Sequence, residues 1–287
     1  MKYAPKPGLL LALCVACSTS VEDAGTGSVS FSTWGEEYIE EGLPTSVFED
    51  GWSVKYNKFL VVLGDVVVAD DKGVVAASMK SSVLVDHVTA GVKPVVTFQN
   101  LPARAWNRVS YSIAPAGNTT VLEGAKAEDL IFMKDAGYSL YVEGTASKGS
   151  TQKRIRWGFT ISTQFERCRG EVGGKETEGA VVTRGGTDGI ELTIHGDHLF
   201  YDDLQSQGAK VRFGAIADAD DRATGDRDGS VSLEELAKFA LVEIPAAQGG
   251  YGTGAISGVN DLRDFVTSLS RTVGHFRGEG ECFTPSK

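Results

Sequence analysis

Between residues 51 and 195 the apolar positions fall largely in short runs, or alternate with polar ones. Arg108, Ser110 and Ser112 interleave with Val109, Tyr111 and Ile113, a period of two that turns one face of a strand inward and the other to water. The same reading predicts strands over 52–69, which holds Phe59-Leu-Val-Val-Leu63 and Val66-Val-Val68, and over 83–88, 94–99 and 106–114. Residues 138–146 and 152–165 read as a hairpin closed by Ser147-Lys-Gly-Ser150. Residues 180–183 are expected to pair with 189–195 across Arg184-Gly-Gly-Thr-Asp188. The one helical break in this stretch is 127–134. Roughly eight or nine short strands with tight turns predict a β-sandwich or a related barrel.

After His195 the apolar period becomes helical. Leu233, Leu236, Ala237, Ala240 and Leu241 form one stripe, which Pro245 prevents from running on. Phe213, Ile216 and Ala217 predict a shorter helix before it. A Gly-rich connector, 248–258, leads to a last helix over 259–273, with Val259, Leu262, Phe265, Val266, Leu269 and Val273 on one face and Gly274 as its stop. Upstream of the strands, Trp34-Gly-Glu-Glu-Tyr-Ile-Glu-Glu-Gly-Leu-Pro44 reads as a short acidic helix with aromatic anchors. The expected fold is mainly β with C-terminal helices: a sandwich over 31–195, with a helical layer over 196–287 packed against it.

The N-terminus adds an address. Lys2 and Lys6 precede an apolar run over 9–16, too short for the roughly 20 residues that a membrane-spanning helix needs. The Val15-Ala-Cys17 junction resembles a bacterial lipoprotein cleavage site, with Cys14 standing where that family usually has leucine. The resemblance implies a signal peptide over 1–16, lipidation of Cys17, a flexible tether over 17–30 and an extracytoplasmic, membrane-anchored body; Cys14 is the alternative acylation site. Two of the four cysteines are thereby assigned, leaving Cys168 and Cys282 to pair in an oxidising compartment. Losing Lys2 and Lys6 leaves 26 basic residues against 38 acidic, a formal charge of −12. Such a surface repels nucleic acid and attracts cations.

The chemistry is concentrated in Thr224-Gly-Asp-Arg-Asp-Gly-Ser-Val-Ser-Leu-Glu-Glu235, which resembles the calcium loop of an EF-hand. That resemblance implies Ca²⁺ held by Thr224, Asp226, Asp228, the carbonyl of Ser230, Ser232 directly or through water, and both oxygens of Glu235. Gly229 falls where such a loop turns sharply, and Val231 in its apolar slot. The family has Asp at the first position where this chain has Thr224, so Asp218, Asp220 or Asp221 takes that place if the loop is expanded. Ser232-Leu-Glu-Glu235 also reads as a capping box opening a helix. No second loop of this kind occurs in the sequence.

A second candidate is His195-Gly-Asp-His198, at the junction between strands and helices. Two imidazoles three residues apart, with His87 or His275 reaching in, suit copper or zinc. Catalytic signatures are sparse: no Gly-x-Ser-x-Gly, no Gly-rich strand-to-helix turn and no free cysteine once the pair has formed. The segment Val96-Thr-Phe-Gln-Asn-Leu-Pro102 with Trp106-Asn-Arg-Val-Ser-Tyr111 resembles β-sandwich modules of bacterial surface lipoproteins, a likeness that implies no activity. The sequence therefore points to a lipid-anchored calcium-binding protein with a structural or binding role, whose protein or carbohydrate partner it does not identify. The alternatives are a copper- or zinc-binding, redox-capable lipoprotein using His195 and His198, and a calcium-stabilised hydrolase.

Overall fold

The structure is a computed structural model that describes residues 24–285. The expected signal peptide and Cys17 lie outside the described residues. In chain order the first elements are β1 (Thr26–Trp34), α1 (Glu36–Glu40), the 17-residue β2 (Ser53–Ala69), β3 (Val75–Ser78), β4 (Ser82–Asp86), β5 (Lys93–Pro102), β6 (Ala105–Trp106), β7 (Arg108–Ile113) and β8 (Thr120–Glu123). Next come α2 (Ala127–Ala136), β9 (Leu140–Lys148), β10 (Thr151–Phe159), β11 (Thr163–Phe165), β12 (Arg169–Val172), β13 (Lys175–Glu178), β14 (Ala180–Val181) and β15 (Thr187–Ile194). The remainder is α3 (Gly214–Asp221), β16 (Ser230–Val231), α4 (Leu233–Leu236), α5 (Leu262–Leu269) and β17 (Gly274–Phe276), with 3₁₀ turns between them.

The mainly-β fold with C-terminal helices is as the pattern predicts. The larger sheet runs β11-β7-β2-β9-β10-β16, with β3, β4 and β8 attached through β2 and β4, and the smaller runs β17-β15-β1-β5. β2 explains the unbroken run Phe59–Leu63. One face, with Phe59, Val61 and Leu63, enters the main core; the other, with Leu60 and Val62, is buried with Leu84, Tyr141 and Met133 of α2. A strand covered on both faces carries no polar alternation. Beyond Leu63 a bulge lies between Gly64 and Val67, where Asp65 adopts φ +49°.

Three expectations are corrected. Residues 26–30, expected as part of a flexible tether, belong to β1, which pairs in parallel with β15 and antiparallel with β5. Val29 and Phe31 are the buried anchors that draw this segment into the sheet. Second, residues 180–183 do not form a hairpin with 189–195: β14 pairs with β6, and β15 is flanked by β1 and β17. Third, the helices are shorter than their stripes, α4 ending at Leu236 and α5 spanning only Leu262–Leu269. Beyond α5 the chain turns into β17, which joins the smaller sheet. One continuous core contains Val29 and Ile194 together with Leu199, Phe213, Leu236, Val266 and Phe276, so the helical layer shares the core of the sheets. Cys168 and Cys282 form the expected disulfide, 114 residues apart.

Candidate metal centres

The parallel strands β1 and β15 end side by side, Trp34 opposite Thr193, and β17 lies antiparallel beyond, with His275 opposite Thr193. Three stretches therefore meet at one edge of the smaller sheet. β1 continues through Gly35 into Glu36, β15 into His195-Gly-Asp-His198, and β17 brings in His275. Asp197 and His198 sit on a 3₁₀ turn, Asp197–Phe200. Gly196 is required there: a Cβ on it would stand 2.7 Å from Ile39 Cγ1 and 2.9 Å from Tyr56 Cε2. The Tyr56 hydroxyl donates to the Gly196 carbonyl at 2.7 Å, fixing the turn from β2.

The imidazoles of His195, His198 and His275 are mutual neighbours. Their ring centroids lie 4.3 Å apart for His195–His275, 5.2 Å for His195–His198 and 5.0 Å for His198–His275. One donor atom each of His195, Asp197 and His198 lie within 4.8 Å of one another, as do those of His195, His275 and Glu279. Glu36 Oε1 stands 3.3 Å from His195 Nε2. Glu36 holds φ +52°, a left-handed backbone that a residue with a Cβ adopts only when its surroundings impose it.

Hydrogen bonding resolves one tautomer. The Thr272 hydroxyl donates to the Leu269 carbonyl at 2.8 Å, so its oxygen accepts from His198 Nδ1, 3.0 Å away. Nδ1 of His198 thus carries the proton and Nε2 the lone pair. His195 Nε2, His275 Nδ1 and Asp197 Oδ1 are buried without hydrogen-bond partners, while the other oxygen of Asp197 accepts from Tyr201. Each such orphaned atom costs about 1–3 kcal/mol. Burial, and then repulsion by His275 and His195, pushes His198 down to about 3; burial and His195 also lower His275. Burial, then repulsion by Glu279 and Asp197, raises Glu36 to about 7. The three imidazoles, set beside crowded carboxylates, form two overlapping groups that share His195, each a donor set suited to a divalent cation.

Of the two histidines considered as third ligand, His275 is the one brought in. His87 is fully buried elsewhere: its Nε2 lies 2.9 Å from Thr33 Oγ1, which itself donates to the Leu192 carbonyl. Sequence reasoning missed Asp197 and Glu279 as donors, and it favoured a solvated short helix over a cation site for the acidic segment that holds Glu36. Asp197 carried a signal of position, standing between the two histidines.

A second group forms at the loop of the helical layer, where carboxylate oxygens of Asp220, Asp226 and Glu235 lie within 4.8 Å of one another. The residue brought beside Asp226 and Glu235 is Asp220, on the last turn of α3, and not Thr224, which is exposed and whose carbonyl accepts from Lys238. Asp220 is one of the three upstream carboxylates on which an expanded loop would draw. Gly225 makes the return: a Cβ there would stand 2.2 Å from the Asp220 carbonyl oxygen. Gly229 turns at φ +79°, and its N–H donates to Asp220 Oδ2. Asp228 Oδ1 accepts from the Ser230 N–H. Glu235 closes the capping box, its Oε2 accepting from the Ser232 N–H and hydroxyl and its Oε1 from the Asp226 N–H. The loop is fastened to the larger sheet by β16, which pairs in parallel with Arg154 and Ile155 of β10, and by Trp157 donating to the Val231 carbonyl at 2.8 Å.

Fold and sites together define a β-sandwich carrying two clusters of metal-competent side chains, one of imidazoles and carboxylates and one of carboxylates alone. Among known proteins, no family and no curated protein matches this sequence. A solved structure, MbnP from Methylosinus trichosporium, aligns over 61% of this chain and 77% of its own at 11% identity and a TM-score of 0.32, a likeness that carries no functional weight.

Proposed function

We propose that this protein binds a late transition-metal ion, copper or zinc, through His195, His198 and His275, with Asp197 and Glu36 beside them. The observation that carries the reading is that His195 is shared by two donor groups, one with Asp197 and His198 and one with His275 and Glu279, in which His195 Nε2, His275 Nδ1 and Asp197 Oδ1 are buried without a hydrogen bond. Imidazole with carboxylate suits borderline metals, and affinity in such a set peaks at Cu²⁺ in the divalent series. The lipoprotein-like N-terminus and the Cys168–Cys282 pair support an extracytoplasmic, anchored body. Metal-free protein equilibrated with Cu²⁺ or Zn²⁺ and desalted is expected to retain one equivalent by elemental analysis. The His198→Ala/His275→Ala variant is expected to retain none at that site. Failure of the wild-type protein to retain either metal would end this reading.

A second reading, that the loop binds Ca²⁺, is favoured by one specific observation. Asp220 is wholly buried, and its Oδ1 has no partner although it belongs to the cluster with Asp226 and Glu235. The ion would draw on Asp220, Asp226, Asp228, the Ser230 carbonyl and Glu235, and would brace α3 and α4 against β10. Millimolar calcium is expected to raise the melting temperature over that in EGTA, and Asp226→Ala or Glu235→Ala to remove the rise. A rise unchanged in both variants would move the ion elsewhere.

A further inference from the structure

The side chain nearest to being a cation in the carboxylate cluster is already part of the protein. Lys153, on β10, is 4% exposed, and its ammonium donates to Asp220 Oδ2 at 2.5 Å and to Asp221 Oδ1 at 2.6 Å. It reaches the loop from the larger sheet, one residue before the Arg154–Ser230 pairing. Asp220 is thus divided. One oxygen is held by Lys153 and the Gly229 N–H, and the other is unpartnered.

We propose that Lys153 is a built-in counter-ion of the loop, which neutralises Asp220 when calcium is absent and loosens its hold when calcium enters. This inference rests on the calcium reading of the loop. A buried carboxylate left without compensation is strongly unfavourable, so a loop bearing Asp220, Asp221, Asp226, Asp228 and Glu235 needs a cation in order to stay folded when empty. Lys153 supplies one from a rigid strand, at no loss of translational freedom. A divalent ion bound at Oδ1 then places two cations on the same carboxylate, where repulsion at short range in a poorly screened site is large. Calcium affinity is held down by the lysine, and the lysine's ion pair is weakened by calcium. The loop's metal-free form is thereby kept folded, and its affinity falls toward the weak end of the range for such loops, about 10⁻⁴–10⁻³ M.

The test is calcium titration by calorimetry of the wild-type protein, Lys153→Gln and Lys238→Gln. Lys238 is a control for charge, since its exposed ammonium donates to the Thr224 carbonyl and forms no ion pair with a carboxylate among the described residues. Lys153→Gln is expected to bind calcium about tenfold more tightly than wild type, to melt lower than wild type in EGTA, and to close that gap in millimolar calcium. Lys238→Gln is expected to stay within about twofold of wild type, its charge being exposed and screened. Equal affinity of Lys153→Gln and wild type would overturn the counter-ion role while leaving the calcium site standing. Absence of calcium binding in both would overturn the site and this inference with it. Should Lys153→Gln fail to fold, the wild-type protein decides. Reductive methylation of Lys153, read by peptide mass spectrometry, is expected to be faster in calcium than in EGTA, and an unchanged rate would overturn the proposal.

Discussion

At the scale of single residues, the histidines divide into two kinds that composition cannot separate. His195, His198 and His275 share a site with carboxylates, whereas His87 is a core residue whose one bonded nitrogen serves Thr33. Its burial, with Lys93 adding repulsion, pushes it down to about 3 from an ordinary 6.5. The unfolded chain takes up a proton below pH 6.5 while the folded one does not, so stability is intact above that pH and falls as the pH drops from 6.5 toward 3. Between pH 7 and pH 5 the loss assigned to His87 is about 2 kcal/mol. His87→Gln is expected to show a correspondingly shallower loss in denaturant titrations at those two pH values. An identical slope would assign the acid sensitivity to other groups. His195 and His198 were visible in the sequence as a pair, but nothing in their spacing indicated that Glu36, 159 residues before His195, would lie 3.3 Å from it.

Elements, more than residues, decide whether the imidazoles are usable. The strands were largely legible because alternation and apolar runs report burial directly; the pairing of β14 with β6 was not, because a short turn-like segment between two strands resembles a hairpin whatever its strands pair with. The loop stood out by the spacing of its Asp, Gly and Glu residues, while which upstream carboxylate joins Asp226 and Glu235 depended on where α3 places Asp220. In the same way, α5 controls His198. Its stripe of Leu262, Phe265, Val266 and Leu269 packs it into the core, and just beyond its end Thr272 accepts the His198 Nδ1 proton. A group of this kind that orients a ligand is typically worth about 10–100-fold in metal affinity. Thr272→Val, which keeps the shape and loses the acceptor, is expected to weaken copper or zinc binding by about that factor, and Thr272→Ser to restore it. Equal weakening by valine and serine would mean that packing, not the hydrogen bond, positions the ring.

Across the whole molecule, the site depends on chain that returns from far away. β17 brings His275 to the edge of β15, and backbone hydrogen bonds hold the C-terminal segment that leaves this strand: Phe276 N–H to the Gly280 carbonyl, Arg169 N–H to the Glu281 carbonyl, and a reciprocal pair between Glu166 and Phe283. The Cys168–Cys282 bridge ties this return to the strands, closing a loop of 114 residues that contains His195, His198 and His275 as well as the carboxylate loop. Arg277 adds a largely buried ion pair with Asp188 at 2.7 Å, next to the same turn. In the chain-entropy account, a loop of this length stabilises by about 4–5 kcal/mol, chiefly by restricting the unfolded chain. A bridge acting only in that way would leave the folded site unchanged. Here it also anchors the strand that carries His275, a ligand in the proposed site, so its loss acts twice. Cys168→Ser/Cys282→Ser is expected to lose about 4 kcal/mol in denaturant unfolding, and, under conditions where it remains folded, to bind copper or zinc more weakly than wild type. Calcium binding by the loop, which is fastened to β10 and not to β17, is expected to survive in the folded variant. Lowered stability with unchanged copper or zinc affinity would confine the bridge to the unfolded state and leave β17 held by its hydrogen bonds alone.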